Sequence, residues 1–177
     1  MKTEFQNHKS LFLNLFAIAI LFFGIFCLAK SSWAATVNAN SCSQDDVQTA
    51  IDSANPEDTV TVPACPSGVV WNSSVTIDKG ITLKGAGVGQ TVIIGNVGED
   101  NFMVSYMLSN LFADEPFVLS GFTFDANFNS LSLQLGNSDP AHPVTKVRVH
   151  HNAWLNCTFE NSANPHNVSF RVFGSSV

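Results

Sequence analysis

Cations are scarce in this chain: Lys and Arg number 8 in 177 residues, against 14 Asp and Glu, for a net charge of −6. Nucleic-acid phosphates are met by basic patches, so this balance excludes nucleic acid as the expected partner. It also disfavours an anionic polysaccharide unless a divalent cation bridges the two. Cysteine is equally sparse, with Cys27, Cys42, Cys65 and Cys157 the whole set. Asn-Gly and Asp-Gly dipeptides are absent, which removes the strongest short-range signal for antiparallel hairpins. No helix pattern follows Gly85-Ala86-Gly87-Val88-Gly89, because Thr91 to Ile94 reads as a strand. A phosphate-binding loop needs helical amides after its glycines, so the stretch is a turn.

One long apolar run is present, from Leu11 to Ala29. Lys2 and Lys9 precede it and the small residues of Ser32-Trp33-Ala34 follow, the pattern of a secretory signal cleaved before Ala35. Phe26 before Cys27 is too large for a lipoprotein site. Residues 1–34 are therefore expected to be a signal peptide and 35–177 the domain, of about 140 residues, enough for one sizeable core. The net charge then falls to about −8, because three lysines and one glutamate leave with the signal. The expected product is secreted, free of the membrane after cleavage, and monomeric. In an oxidising compartment, a Cys42–Cys65 bridge would close a loop of about 24 residues and contribute about 3 kcal/mol. Cys157 is left over and reads as a buried thiol in a strand.

Ser43 to Asp46 opens a helix with a capping box, and Val47, Ala50, Ile51 and Ala54 share one face until Asn55-Pro56 ends it. Such a helix ahead of a series of strands is suited to covering an open sheet edge. Afterwards an apolar-Thr-apolar unit recurs at Val60-Thr61-Val62, Val75-Thr76-Ile77, Ile81-Thr82-Leu83, Phe122-Thr123-Phe124 and Cys157-Thr158-Phe159. Alternation of this kind marks strands with one buried face and threonines turned outward. Only Asp78-Lys79-Gly80 separates two of these strands, too little for a crossover between parallel neighbours. They read as consecutive sides of one coil, with a second bend at Gly121. Residues 97–116 lack the unit and carry four acids, so a loop is expected there.

Ile81, Phe122 and Cys157 recur at intervals of roughly 35–40 residues, a repeat size typical of solenoids. The expected fold is all-β, a right-handed parallel β-helix with an N-terminal capping α-helix. An antiparallel sandwich remains the rival, since Gly95-Asn96 and Gly136-Asn137 are permissible hairpin turns. The chain stops at Phe173-Gly174-Ser175-Ser176-Val177 without a closing cap, so it is expected to be the N-terminal part of a longer protein.

The helix Asp46 to Ile51, the strand Asp58 to Pro63, the segment Ile81 to Gly87 with Thr91 to Ile94, and Val149-His150-His151-Asn152 leading to Asn156-Cys157-Thr158-Phe159 together resemble the pectin-lyase-like superfamily of secreted parallel β-helix proteins. That resemblance implies polysaccharide binding or cleavage by a lyase or glycoside hydrolase. Because the superfamily also holds non-catalytic adhesins, an adhesive or structural surface module is the alternative, as is an inactive fragment.

Lys146, Arg148 and His150 alternate with Val147 and Val149 and so share an outward face. In-register stacking would bring Asp125 and Glu160 to comparable faces, where the two carboxylates would act as acid and base or hold Ca²⁺. The resemblance to pectate lyases would make Arg148 the base of a β-elimination. The expected catalytic set is Asp125, Arg148, His150 and Glu160, with Lys146 and Trp154 on substrate. The competing reading is a solvated charged face with weak ion pairs. No metal motif is expected: adjacent His150 and His151 point to opposite sides of a strand, and His142 and His166 fall in loops. Asn127, Asn152 and Asn161 follow strands, where asparagine suits bends and stacked amides.

Overall fold

A computed structural model describes residues 33–108, 115–128, 130–136, 144, 146–157 and 170–172. The chain divides into two units at Trp33, and the fold described is that of the second, Ala34–Val177. Residues 1–32 of the signal segment, Glu160, His142, His166, Asn161 and residues 173–177 lie outside the described residues.

In chain order the elements are β1 (Thr36–Asn38), α1 (Gln44–Ser53), β2 (Thr59–Thr61), β3 (Cys65–Trp71), β4 (Val75–Ile77), β5 (Thr82–Lys84) and β6 (Thr91–Gly95). There follow β7 (Gly98–Tyr106), β8 (Phe117–Ser120), β9 (Thr123–Asp125), β10 (Ser130–Leu135), β11 (Val147–His150), β12 (Ala153–Leu155) and β13 (Phe170–Val172). They form three sheets, ordered β1-β2-β5-β8-β11, β3-β6-β9-β12 and β4-β7-β10-β13. From β2 onward each sheet takes every third strand, and every pairing is parallel. The protein is therefore mostly β, with parallel sheets and one short helix. An antiparallel sandwich is ruled out by these pairings.

The register explains the core. In the first sheet Val37, Val60, Leu83, Leu119 and Val149 align across neighbouring strands, and the middle three are fully buried. In the second, Val69, Ile93, Phe124 and Trp154 align, with the Phe124 and Trp154 rings stacked 4.8 Å apart. In the third, Val75, Val104 and Leu133 align, as do Ile77, Tyr106 and Leu135. Tyr106 also stacks on Phe117 at 4.4 Å. Each such side chain contributes about 1.5–3 kcal/mol by leaving water.

The helix forms as its sequence predicts in its buried face, with Val47, Ala50, Ile51 and Ala54 all covered. Ser43 caps it by accepting from the Asp46 amide at 3.3 Å. The reciprocal half of a capping box does not form, because the Asp46 carboxylate accepts the Ser41 hydroxyl instead. Gln48 reaches β4, the outer strand of the third sheet: its amide accepts from Thr76 N at 2.8 Å and donates to Thr76 O at 3.0 Å. A side chain thus takes the hydrogen bonds that a neighbouring strand would have made. The expected disulfide joins Cys42 to Cys65, and buried Trp71 donates to the Cys42 carbonyl at 3.0 Å.

Several expectations are corrected. Ile81, Phe122 and Cys157 are not equivalent, since Ile81 precedes β5 of the first sheet, Phe122 precedes β9 of the second and Cys157 follows β12. The equivalent positions are Val60, Leu83, Leu119 and Val149, whose unequal connections hide the period. Residues 97–116 do not form a loop throughout, because the longest strand, β7, begins at Gly98. Phe102, Met103, Val104, Ser105 and Tyr106 are all buried. A strand covered on both faces loses the alternation by which strands are recognised. Pro66-Ser67-Gly68 lies inside β3, where the register shifts, rather than in a turn between elements. Thr123 is buried rather than outward and accepts from Gly89 N at 2.9 Å. Cys157 is half-buried just beyond a strand, with Ser132 Oγ 3.7 Å away; the rest of its expected strand lies outside the described residues.

Candidate functional site

The outward positions of the first sheet form two rows. Thr59, Thr82, Val118 and Arg148 align in one, and Thr61, Lys84, Ser120 and His150 in the other. Thr59, Thr61 and Thr82 are half-buried while Lys84 and Arg148 are exposed, as expected where Val60, Leu83 and Leu119 take the inward places between them. Neighbouring strands lie about 4.8 Å apart, so Lys84 stands one strand from Thr61 and two strands from β11, with half-buried Val118 and buried Ser120 of β8 between it and Arg148. Lys146, exposed, stands just before β11, and its carbonyl accepts from Phe117 N at 2.9 Å.

The turns at the end of this sheet are stacked on one another. Gly85 N donates to Ser120 O at 2.8 Å, and Gly121 N to His151 O at 3.0 Å. A Cβ on Gly85 would strike the Gly121 carbonyl, and Gly121 has φ +82°, so both positions require glycine. The next turn carries His151 with φ 53° and an exposed ring. That conformation turns its ring beside the preceding residue: the two Nδ1 atoms of His150 and His151 are 2.6 Å apart, with the rings nearly perpendicular. The strand rule that sends adjacent side chains to opposite sides fails here because His151 has already left the strand. Burial pushes the His150 pKa below its ordinary value, and the positive charges of Arg148 and His151 lower it further. At 2.6 Å the two nitrogens are within hydrogen-bond distance, so a proton carried by one ring nitrogen points at the other.

Asp125 belongs to a different sheet. It ends β9, whose partners are β6 and β12, whereas Arg148 and His150 lie on β11, beside β8. The common face expected for Asp125 with Arg148 therefore does not form. Asp125 Oδ1 accepts from Asn127 N and from Asn156 Nδ2, both at 2.8 Å, which holds the turn through Asn127 and Asn156, two residues at positive φ. Glu160, its expected partner as acid, base or Ca²⁺ ligand, is outside the described residues. Among the described residues no three His, Cys, Asp or Glu gather as metal ligands. Trp154 is half-buried and stacked on Phe124, which makes it a packing residue.

Asparagines serve the bends at two of the expected positions, Asn127 and Asn152, while Asn161 is outside the described residues. Asn152 accepts from Phe122 N and donates to Leu119 O, both at 3.0 Å. The amide-on-amide contact is between Asn96 and Asn72, at 2.7 Å. A shallow depression of about 280 Å³ opens beside the start of α1, lined by Ser43, Gln44, Asp45, Val70, Asn72 and Ser73. It gathers no cation and no pair of reactive groups.

Sequence reasoning passed over Lys84 as a site residue. The signal was available, since Lys84 follows an apolar-Thr-apolar unit as the other outward charges do. Chemically, the face can bind hydroxyls and carboxylates. Among its described residues it pairs no nucleophile with a base. No helix among the described residues is long and apolar enough to cross a membrane; that finding and the disulfide are compatible with an extracellular protein. Comparisons with protein-family models, with curated proteins and with solved structures return no match.

Proposed function

We propose that the protein is a secreted right-handed parallel β-helix of the pectin-lyase-like kind, capped at its start by α1, that binds polysaccharide along the outer face of the first sheet. The coil is supported by the strand order, in which β2, β3 and β4 pass through the three sheets once and β5, β6 and β7 repeat the circuit beside them. The cap is supported by the buried face of α1 and by Gln48 taking both backbone groups of Thr76.

One observation carries the binding reading. Five cations follow the signal segment, Lys79, Lys84, Lys146, Arg148 and Arg171; Lys84 and Arg148 share the first sheet and Lys146 adjoins it. A chain that is acidic overall thus collects positive charge beside threonine hydroxyls, which suits a carboxylated glycan: hydroxyls bond to hydroxyls and cations to carboxylates. Binding is preferred to cleavage because Asp125 lies on the second sheet, apart from Arg148 and His150 on the first, with its Oδ1 holding the turn of Asn127 and Asn156. The test is to titrate the secreted protein with pectate, alginate and an uncharged glycan, with and without Ca²⁺. Saturable binding to a carboxylated glycan, without new chain ends, is expected. Shortened or unsaturated products would support an enzyme instead, and no binding to any glycan would refute the reading.

A further inference from the structure

Asp58 is the most deeply covered carboxylate described, 2% exposed, yet it lies at the start of β2 rather than in the apolar core. Its cover is shallow, made of exposed residues that donate to it. Asn55 N reaches Oδ2 at 2.7 Å, Asn55 Nδ2 reaches the same oxygen at 3.4 Å, and Ala35 N reaches Oδ1 at 2.6 Å. Ala35 is gripped at both ends, because its carbonyl accepts from Thr59 N at 2.8 Å and Thr36 then pairs with Thr59 as β1 begins. One oxygen of a buried carboxylate, Oδ1, is therefore aimed at a backbone nitrogen 23 residues earlier in the chain.

That nitrogen is the one a signal peptidase would release. Ser32 and Ala34 occupy the two small-residue positions such a protease reads, with the scissile bond between Ala34 and Ala35. Hydrolysis adds water across that amide: the C–N bond breaks, Ala34 leaves with a carboxylate, and Ala35 keeps a nitrogen that takes up a proton. We infer that the mature chain begins at Ala35 and that its new α-ammonium group locks onto Asp58, so that cleavage completes a charge pair which holds β1 on the first sheet. A site that receives an amide hydrogen in the precursor then receives a cation in the product, at the same nitrogen, which adds charge–charge attraction to a bond whose acceptor is already ionised.

The charged surroundings agree. Lys79 is the side-chain cation acting on Asp58, but its ammonium is committed to the carbonyls of Ala54 at 2.9 Å and Asp52 at 3.3 Å. The neighbouring carboxylates of Asp52 and Glu57 are exposed. The amide bonds from Ala35 and Asn55 already hold the Asp58 pKa below its usual value. An α-ammonium has an ordinary pKa of about 7.7–8.0, and pairing with Asp58 raises it in the folded state. Its stabilisation is then fully present below about pH 8 and is lost as pH rises through the raised value.

The experiment uses the full chain expressed in a secreting host, beside a full chain carrying one glycine inserted between Ala34 and Ala35, and Asp58→Asn. N-terminal sequencing of the secreted protein should read Ala-Thr-Val-Asn. At pH 7 an amine-acylating reagent should modify its α-amine at least tenfold more slowly than that of the glycine-inserted chain. Between pH 7 and pH 10 the thermal midpoint should fall further in the parent than in the inserted chain, in which Ala35 N is an amide again. Asp58→Asn should abolish both differences. A different mature terminus would overturn the inference, as would equal acylation rates and equal pH profiles in the parent and inserted chains; neither depends on the Asp58 variant folding.

Discussion

The two ends of the first sheet use polar side chains in opposite ways. At the β1 and β2 end, Asp58, Gln48 and Ser43 turn their polar atoms onto backbone amides and carbonyls, while Trp71 and the disulfide bind Cys42 to β3. At the β11 end, Arg148 is exposed and the nearest polar contact of His150 is another side chain, His151. Residue type alone does not separate these roles, since each end carries charges. What separates them is whether backbone groups already occupy the side chain's hydrogen-bonding capacity. By that criterion Asp125 stands between the two groups although it lies far along the chain, because its Oδ1 is held by the backbone of Asn127 and by the side chain of Asn156.

Substitutions at the two ends should separate accordingly. The largest effect is expected from Trp71→Ala, which empties a fully buried site beside Phe124 and leaves the Cys42 carbonyl without its donor. A loss of about 3–5 kcal/mol is expected, read from the denaturant midpoint. Next is Asp58→Ala, which leaves the Ala35 nitrogen and the Asn55 amide without their acceptor and should cost about 1–3 kcal/mol. Because its folded pKa is lowered, Asp58 stabilises the fold above about pH 3.9 and that contribution disappears as pH falls through the lower folded value. Thermal midpoints of parent and variant should therefore converge at acid pH.

At the other end the effects are smaller. The lowered pKa of His150 means that its neutral form is favoured by folding. Its contribution is complete above about pH 6.5 and fades as pH falls through the folded value. His150→Asn should flatten that slight decline in thermal midpoint between pH 7 and pH 5. Smallest of all, Lys84→Ala with Arg148→Ala should alter stability by no more than about 0.5 kcal/mol per site. A loss of stability at Lys84 and Arg148 as great as at Trp71 would erase the distinction between the ends.

Much of this was readable from local pattern. Val60, Ile81, Leu83, Phe122 and Phe124 announced buried strand positions through alternation, and Gly121 announced the bend between β8 and β9. The face of α1 followed from its helical spacing, and the Cys42–Cys65 pairing from the compartment and the count of cysteines. What alternation could not reveal was structure in which both faces are covered. Phe102-Met103-Val104 is a continuous apolar run without alternation, and Ser105 in β7 and Ser132 in β10 are buried although serine suggests solvent. Registers were equally hidden, because Leu83, Leu119 and Val149 are separated by connections of different lengths and only pairing reveals their equivalence. The expected site failed for the same reason: placing Asp125 beside Arg148 required knowing which sheet each strand joins. Lys84 was missed because it is far from Arg148 in sequence and meets the same face only through β8.

The Lys84 and Arg148 face is proposed to recognise a carboxylated glycan. Isothermal titration of the secreted protein and its Lys84→Ala, Arg148→Ala double variant with pectate oligomers and with alginate oligomers, at low salt, tests it most directly. Saturable binding to at least one of them by the parent, weakened at least tenfold in a double variant whose thermal midpoint is unchanged, is the predicted result. Equal affinity in the two proteins, or no binding by the folded parent, would contradict it.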